Sequence, residues 1–205
     1  MDDPNGSIRR FSGLSLWRAG CAERCKSGSE GGLEKPTDRN VSTALQSDPY
    51  TEHWTDEGKL YLCAIKDVFS NRIVGWSIAE HMQASLAVNA LGSAIAMRDA
   101  DGTIVHSDRG SQFRSKKFLR VLTNNGLVGS MGRVGACGDN AAMESFFSLL
   151  QKNVLDTKRW RTLEELRHAI VVWIERTYNR RRRQRMLGKL TPVEYEAVNQ
   201  PAVAA

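Results

Sequence analysis

The chain has 205 residues, a net charge of +6, and hydrophobic and charged contents of 41% and 25%, which are ordinary for a soluble globular protein. No window approaches the roughly 18 uninterrupted apolar residues of a membrane span. The N-terminus also lacks the apolar stretch of a secretory signal. We therefore expect a cytoplasmic protein that does not enter a membrane and that has one substantial core.

The first 48 residues differ from the rest of the chain. They are rich in Gly, Ser and charged residues, and they show no sustained hydrophobic period of 2 or 3.6. We predict that residues 1–48 are poorly ordered, that residues 49–178 form the folded core, and that residues 179–205 are a basic C-terminal segment and tail.

From Lys59 onward, the spacing of hydrophobic residues indicates defined strands and helices. Two β-rich runs on either side of FSNR predict an antiparallel hairpin. Helical spacing follows in SLAVNALGSAIAMRDA, and GTIVHSD has the composition of a short buried strand. SKKFLRVLTNNG predicts a helix, LVGSM a strand, and GDNAAMESFFSLLQKNVL and TLEELRHAIVVWIERTYN two amphipathic helices. This order predicts an α/β fold with a mixed sheet flanked by helices.

Two carboxylates lie at positions where chemistry is common. Asp108 directly follows the strand GTIVHS, and the carboxyl ends of strands carry the sites of open α/β sheets. A lone acid there is also common as a turn or cap residue. Glu144 lies near the start of a helix among apolar neighbours. It either points partly inward, where a carboxylate needs a partner or a metal, or is exposed and favoured by the helix dipole.

Positive charge is concentrated in one segment. Residues 151–190 contain twelve Lys or Arg against four acids, with a peak at NRRRRQR, Asn179 to Arg185. Clustered positive charge is typical of a surface that binds phosphate backbones. A solvated helix end is the alternative, since cations also favour the C-terminal end of a helix dipole.

The stretch from about Thr51 to Glu196 resembles the integrase catalytic core of IS3-type insertion-sequence transposases. The matching text includes GKLYLCAIKDVFSNRIVGWSI, HSDRGSQF, RVGACGDNAAMESFFSLLQKNVL and YNRRRRQRMLGKLTPVEYE. The resemblance implies a ribonuclease H-like fold in which residues 49–178 form the catalytic core and an Asp, Asp, Glu triad holds two divalent ions, Mg²⁺ or Mn²⁺. Asp108 matches the second Asp and Glu144 the Glu, at the family's 35-residue spacing.

The first acid of the triad is displaced. Alignment on Thr51-Glu52-His53 puts the family's acid at Pro49, one residue from Asp48, our candidate for the first catalytic and metal-binding carboxylate. A one-residue slip along a strand turns a side chain to the opposite face, and a proline removes a donor from a central strand. Asp56 is an alternative, but WTDEG is typical of a turn.

The resemblance implies a DNA transposase that cleaves and joins strands at insertion-sequence ends. It also implies a homo-oligomer on end and target DNA, with a possible helix-turn-helix partner from an upstream reading frame. Because nothing before Asp48 resembles the family, a truncated or frameshifted remnant that still binds nucleic acid is the alternative function.

Other family-like positions have more local roles. Asp67 matches an acid at the hairpin, for which we prefer a turn role to metal binding. Gly110 is expected to permit a tight turn, Asp139 and Asn140 to cap a helix, and Gln184 stands where many relatives carry His. Phosphate contacts, which position DNA without reading its sequence, are expected from Arg109, Lys152, Arg180, Arg181, Arg182, Arg183 and Arg185.

Overall fold

The computed structural model describes residues 44–98, 101–108, 110–131 and 141–199, without the side chains of residues 44–50 and 141. Its strands are β1 (Ala44–Thr55), β2 (Gly58–Asp67), β3 (Ile73–Ala79), β4 (Ile104–Ser107) and β5 (Val128–Met131). Its α-helices are α1 (Ala84–Met97), α2 (Lys116–Asn124), α3 (Ala141–Asn153), α4 (Leu163–Val172) and α5 (Pro192–Asn199). Within these ranges no helix has both the length and the apolar character required to cross a membrane.

The strands form one mixed sheet in the order β3-β2-β1-β4-β5. The first three strands are antiparallel neighbours, whereas β1 with β4 and β4 with β5 pair in parallel. The mixed α/β sheet predicted from the sequence is therefore confirmed. The predicted hairpin is β2 with β3, and the predicted later strands are β4 and β5.

Helices cover both faces of this sheet. On one face, α1 and α2 pack against a cluster that includes Cys63, Ile65 and Val105. Gly75 allows α1 to approach β3 closely, because a Cβ atom there would lie 2.3 Å from the Ala90 carbonyl oxygen. On the other face, α3 and α4 pack on Leu60, Leu62, Ala64 and Ile73 with an aromatic group of Phe146, Trp173 and Tyr178.

The C-terminal part of the chain is tied to the edge of the sheet. Helix α4 continues into a π-helix, Trp173–Tyr178, which the sequence pattern did not predict. Asn179, buried directly after it, accepts a hydrogen bond from the Ile73 N–H and donates one to the Ile73 carbonyl, both at 3.0 Å. Because β3 is an edge strand, this side chain takes the place of a neighbouring strand at that residue.

Two further predictions concern the ends of elements. Thr162 caps the start of α4, because its hydroxyl accepts a hydrogen bond from the Glu165 N–H at 3.1 Å. Strand β1 begins at Ala44, so residues 44–48 of the segment predicted to be poorly ordered form a strand. The proposed cap residues Asp139 and Asn140 lie outside the described residues.

Candidate active site at the ends of β1 and β4

The parallel pairing of β1 with β4 sets two of the candidate acids side by side along the backbone. The register runs from Ala44 opposite Ile104 to Ser47 opposite Ser107. Asp48 follows Ser47 within β1, and Asp108 directly follows the end of β4. The carboxyl end of β4 thus lies beside β1 at Asp48, and sites of α/β proteins form at the carboxyl ends of strands. The backbone therefore brings together two acids that have 59 residues between them in the sequence.

A β-bulge accounts for the one-residue displacement of the first acid. In the antiparallel ladder with β2, Asp48 is opposite Ala64 and Thr51 is opposite Leu62, so β1 has one extra residue between these pairs. Without that bulge, the residue opposite Ala64 would be Pro49. The ladder position that the family alignment gives to Pro49 is thus occupied by Asp48. The bulge also accommodates the proline, which cannot donate to a regular ladder.

Asp108 is held by a short turn after β4. Its Oδ1 atom accepts a hydrogen bond from the Gly110 N–H at 2.9 Å, and its side chain is half-buried. A Cβ atom on Gly110 would lie 2.9 Å from that same Oδ1 atom and 2.7 Å from Oε1 of Gln112. A larger residue would therefore displace the carboxylate, which confirms the tight turn predicted for Gly110.

Glu144 lies in the first turn of α3 and is exposed. The neighbouring Met143, Phe146 and Leu150 are fully buried against the sheet. The interpretation that Glu144 points partly inward was wrong, because these three side chains occupy the buried face of the helix. Helix α3 packs against β1, the strand that carries Asp48. Glu144 is therefore an accessible acid on an element in contact with the candidate site.

The buried Lys66 fastens the beginning of α3 to the sheet. Its Nζ atom donates a hydrogen bond to the Ala142 carbonyl at 3.0 Å, two residues before Glu144. Burial lowers the pKa of Lys66 to about 8. The sequence analysis did not single out this residue, although a cation inside the apolar run LCAIK was a visible signal.

The donor set fits a hard divalent cation. Carboxylate oxygens are the ligands that Mg²⁺ and Mn²⁺ prefer, and Asp108, Glu144 and Asp48 would each supply them. Among the side chains that the structure describes, no three His, Cys, Asp or Glu residues are grouped as a metal site. The side chain of Asp48 is not one of those described.

The basic side chains expected to contact phosphate are on the surface. Arg180, Arg181, Arg182, Arg183 and Arg185 are all exposed, and so is Lys152 in the last turn of α3. Of these six side chains, only Arg183 forms an ion pair in the described part of the chain, with Glu194 at 3.6 Å. Arg109 lies outside the described residues. Their exposure is compatible with phosphate contacts, which stay a prediction.

Asp67 has the turn role that the sequence analysis preferred. Its Oδ1 atom accepts from the Phe69 N–H at 2.9 Å and its Oδ2 atom from Ser70 Oγ at 3.3 Å. Burial raises the pKa of Asp67, and the adjacent Arg98 guanidinium opposes that rise. Glu196 of α5 also pairs with Arg98, and with Arg72 at 2.7 Å. This group therefore links α5 to the turn between β2 and β3.

The family comparison agrees with the fold. Two models, each described as an integrase core domain, match residues 43–137 and 125–192. These matches include the strands that carry Asp48 and Asp108, the helix that carries Glu144, and most of the Arg-rich segment. The chain belongs to the integrase core domain family.

Curated relatives narrow this assignment. The chain is 39% identical over 146 residues to the transposase InsF for insertion sequence IS3A of Escherichia coli K12, which covers 71% of the chain and 51% of that protein. It is 36% identical over 147 residues to the transposase for insertion sequence element IS629 of Shigella sonnei, which covers 72% of the chain and 49% of that protein. Within the family, its core is therefore of the IS3 transposase type. The chain spans about half the length of these relatives.

Solved structures with a similar fold are retroviral integrases. The catalytic core of HTLV-2 integrase with magnesium has a TM-score of 0.55 and 21% identity, and covers 75% of this chain and 95% of that one. The catalytic core of BIV integrase has a TM-score of 0.57 and 18% identity, and covers 78% of this chain and 97% of that one. At such identities the likeness concerns the fold, and it confirms the predicted ribonuclease H-like architecture.

Proposed function

We propose that this chain is the catalytic part of a transposase that cleaves and joins DNA strands at the ends of an insertion sequence. The curated relatives are named as transposases of insertion sequences, and the chain matches their core at 36% to 39% identity. The observation that carries the proposal is the register of β1. Its parallel pairing and its bulge both support Asp48 as the partner of Asp108.

Three acids have named roles in this proposal. Asp48, Asp108 and Glu144 hold two divalent ions, Mg²⁺ or Mn²⁺, through carboxylate oxygens. When bound, these ions supply activation of the attacking water or 3′-hydroxyl and stabilisation of the departing oxygen. The hydrogen bond from Gly110 keeps the Asp108 carboxylate in one orientation. The exposure of Glu144 leaves its carboxylate accessible to a ligand.

The basic surface positions DNA in this proposal. Arg180, Arg181 and Arg182 leave the end of the π-helix on a backbone fixed by hydrogen bonds from the N–H groups of Arg181 and Arg182 to the Thr177 carbonyl, at 3.1 and 2.8 Å. Exposed guanidinium groups on a fixed backbone suit bidentate contacts to phosphate. Phosphate contacts are also assigned to Lys152, Arg109, Arg183 and Arg185.

The whole transposase would act as a homo-oligomer on DNA in the cytoplasm. The solved HTLV-2 integrase core is described in trimeric and dimeric forms, and the related simian T-cell lymphotropic virus integrase in an intasome. A helix-turn-helix partner from an upstream reading frame would recognise the element's ends, because phosphate contacts carry no base information.

Cleavage of a labelled duplex that carries the element's terminal repeat tests the proposal. The full chain is incubated with Mg²⁺ or Mn²⁺ beside Asp108→Asn and Glu144→Gln, which retain side-chain size. We expect cleavage by the parent protein and none by either variant, with equal DNA binding by all three. Binding without cleavage by the parent protein would instead support the non-catalytic remnant.

The salt dependence of binding tests the role of the Arg-rich segment. The double variant Arg181→Gln, Arg182→Gln should lower the slope of log affinity against log salt by about two, since each phosphate contact contributes about 0.9. The variant Arg114→Gln, Arg120→Gln removes the same charge from exposed positions outside that segment and is the matched control. Equal slopes for the two double variants would contradict the assignment.

A further inference from the structure

The buried Lys66 is unusual in its position. The β2 residues Leu60, Leu62 and Ala64 share one face of the sheet and pack beneath α3 and α4. Lys66 continues that face by alternation, and its relative exposure is 4%. Among the described residues, Lys66 is the only Lys or Arg that is buried. No described carboxylate forms an ion pair with it.

An amine at this position lowers the stability of the fold, so its presence calls for a role other than packing. An apolar side chain would fill the same space without the cost of removing a charge from water. The one described bond of Lys66, to the Ala142 carbonyl, joins the sheet to the first turn of α3. Real proteins keep such locally unfavourable residues chiefly at functional sites.

The location of this bond links it to the candidate site. Lys66 is opposite Gln46 on β1, and Gln46 is opposite His106 on β4. Asp48 and Asp108 each lie two residues further along those strands, about 7 Å at the rise of an extended chain. On α3, Glu144 is two residues beyond the carbonyl that Lys66 holds. Lys66 is therefore bonded to α3, which carries Glu144, and lies beside β1, which carries Asp48 and pairs with β4.

We propose that Lys66 is a positioning residue that fixes Glu144 relative to β1 for metal binding. This inference rests on the proposed function, in which Glu144 is a metal ligand. The amine acts through the Ala142 carbonyl and contacts neither the metal nor the DNA. Residues that orient metal ligands typically change metal affinity by 10- to 100-fold when they are replaced.

Binding of Mn²⁺ to the full chain without DNA tests this role. The free-ion signal in electron paramagnetic resonance gives the Kd for the parent protein, Lys66→Met, Lys66→Gln and Glu144→Gln. We expect Lys66→Met to raise the Kd about tenfold. Lys66→Gln, which retains a shorter donor, should have an intermediate Kd. Ile170→Val, a conservative change at a buried site in α4, is the control for a general loss of packing and should leave the Kd unchanged.

The outcomes separate this inference from the proposed function. If Glu144→Gln weakens Mn²⁺ binding and neither Lys66 variant does, the positioning role is wrong and the ligand assignment stands. If Glu144→Gln binds Mn²⁺ as the parent does, the ligand assignment fails and the inference fails with it.

A second measurement excludes a purely structural effect. Hydrogen exchange followed by mass spectrometry should show faster exchange in the first turn of α3 in Lys66→Met, with α1 unchanged. Exchange that is unchanged in both helices, or accelerated equally in both, would overturn the positioning role even if one variant binds Mn²⁺ less tightly.

Discussion

Two pairs of acids, Asp67 with Glu196 and Asp108 with Glu144, have opposite surroundings. Asp67 and Glu196 lie at the end of the sheet where β1 and β4 begin, buried and paired with Arg98. Asp108 directly follows the end of β4, and Glu144 lies in the first turn of α3. Asp108 is half-buried and Glu144 is exposed, and neither forms an ion pair among the described residues.

This contrast separates structural carboxylates from those available to a ligand. A buried carboxylate needs its charge compensated inside the protein, so its oxygens are occupied by guanidinium, hydroxyl and N–H donors. An exposed carboxylate is stabilised by water, which a metal ion can replace. Residue type is therefore a weaker guide to function than the number of partners that the fold supplies.

The largest expected effect concerns the first acid. Asp48→Asn should reduce metal-dependent cleavage at least about a thousandfold, since loss of a metal ligand removes several kcal/mol of transition-state stabilisation. Asp56→Asn is the matched control, because Asp56 is an exposed acid on the same hairpin and pairs with Arg159 at 2.7 Å. Single-turnover cleavage measures both. Loss of cleavage activity in Asp56→Asn but not in Asp48→Asn would show that Asp56, in the turn between β1 and β2, is the first metal ligand.

The pH dependence of stability should distinguish Lys66 from the paired charges. The pKa of this amine is about 8 when folded and 10.5 ordinarily, so between these values the unfolded chain binds more protons and stability rises with pH. The penalty for burying the charge is fully present below pH 8 and amounts to about 3 kcal/mol. Lys66→Met lacks this penalty, so its advantage over the parent should decrease as pH rises from 8 to 10.5.

Urea unfolding of both proteins at several pH values measures that difference. Burial raises the pKa of Tyr178 to about 12, but this tyrosine is present in both proteins and its contribution cancels. Parallel stability curves from pH 7 to 10.5 would show that Lys66 titrates at its ordinary pKa.

A smaller effect is expected from the buried ion pairs. Arg98→Met should lower the free energy of unfolding by about 2 to 3 kcal/mol, because it leaves Asp67 with a buried and uncompensated charge. Its Kd for Mn²⁺ should match that of the parent, since no described bond joins Arg98, Asp67 or Glu196 to Asp108 or Glu144. Denaturant unfolding and Mn²⁺ titration check these two results. A specific loss of Mn²⁺ affinity would show that the ion pairs of Arg98 are coupled to the candidate metal site.

The smallest effect is expected at an exposed pair. Glu52→Gln removes the salt bridge to Lys59, whose atoms are 3.0 Å apart and whose side chains are 46% and 31% exposed. Solvent screens such pairs, so the melting temperature should change by about 1 °C or less. Thermal unfolding at low and high salt measures it. A loss of stability as large as that of Arg98→Met would show that burial does not explain the difference between the exposed and the buried ion pairs.

Local patterns in the sequence determined most of the elements. The alternation in β2 and β3, the helical spacing in α1 and the turn residues between them needed no tertiary information, because each depends on neighbours a few positions away. The three candidate acids were also named from the sequence. Asp108 and Glu144 lie in family-like motifs at a characteristic spacing, and Asp48 is one residue from the aligned position of the first acid.

Pairing between strands decided what remained. The stretch ALQSDPYTEHWT is polar and contains a proline, so nothing in it indicates the central strand of a sheet. Its bulge is defined only against β2, and that bulge gives Asp48 the ladder position of Pro49. The hydrogen bond of Lys66 likewise depends on a helix that begins 75 residues later. Register, bulges and buried partners are relations between distant segments, and sequence neighbours do not specify them.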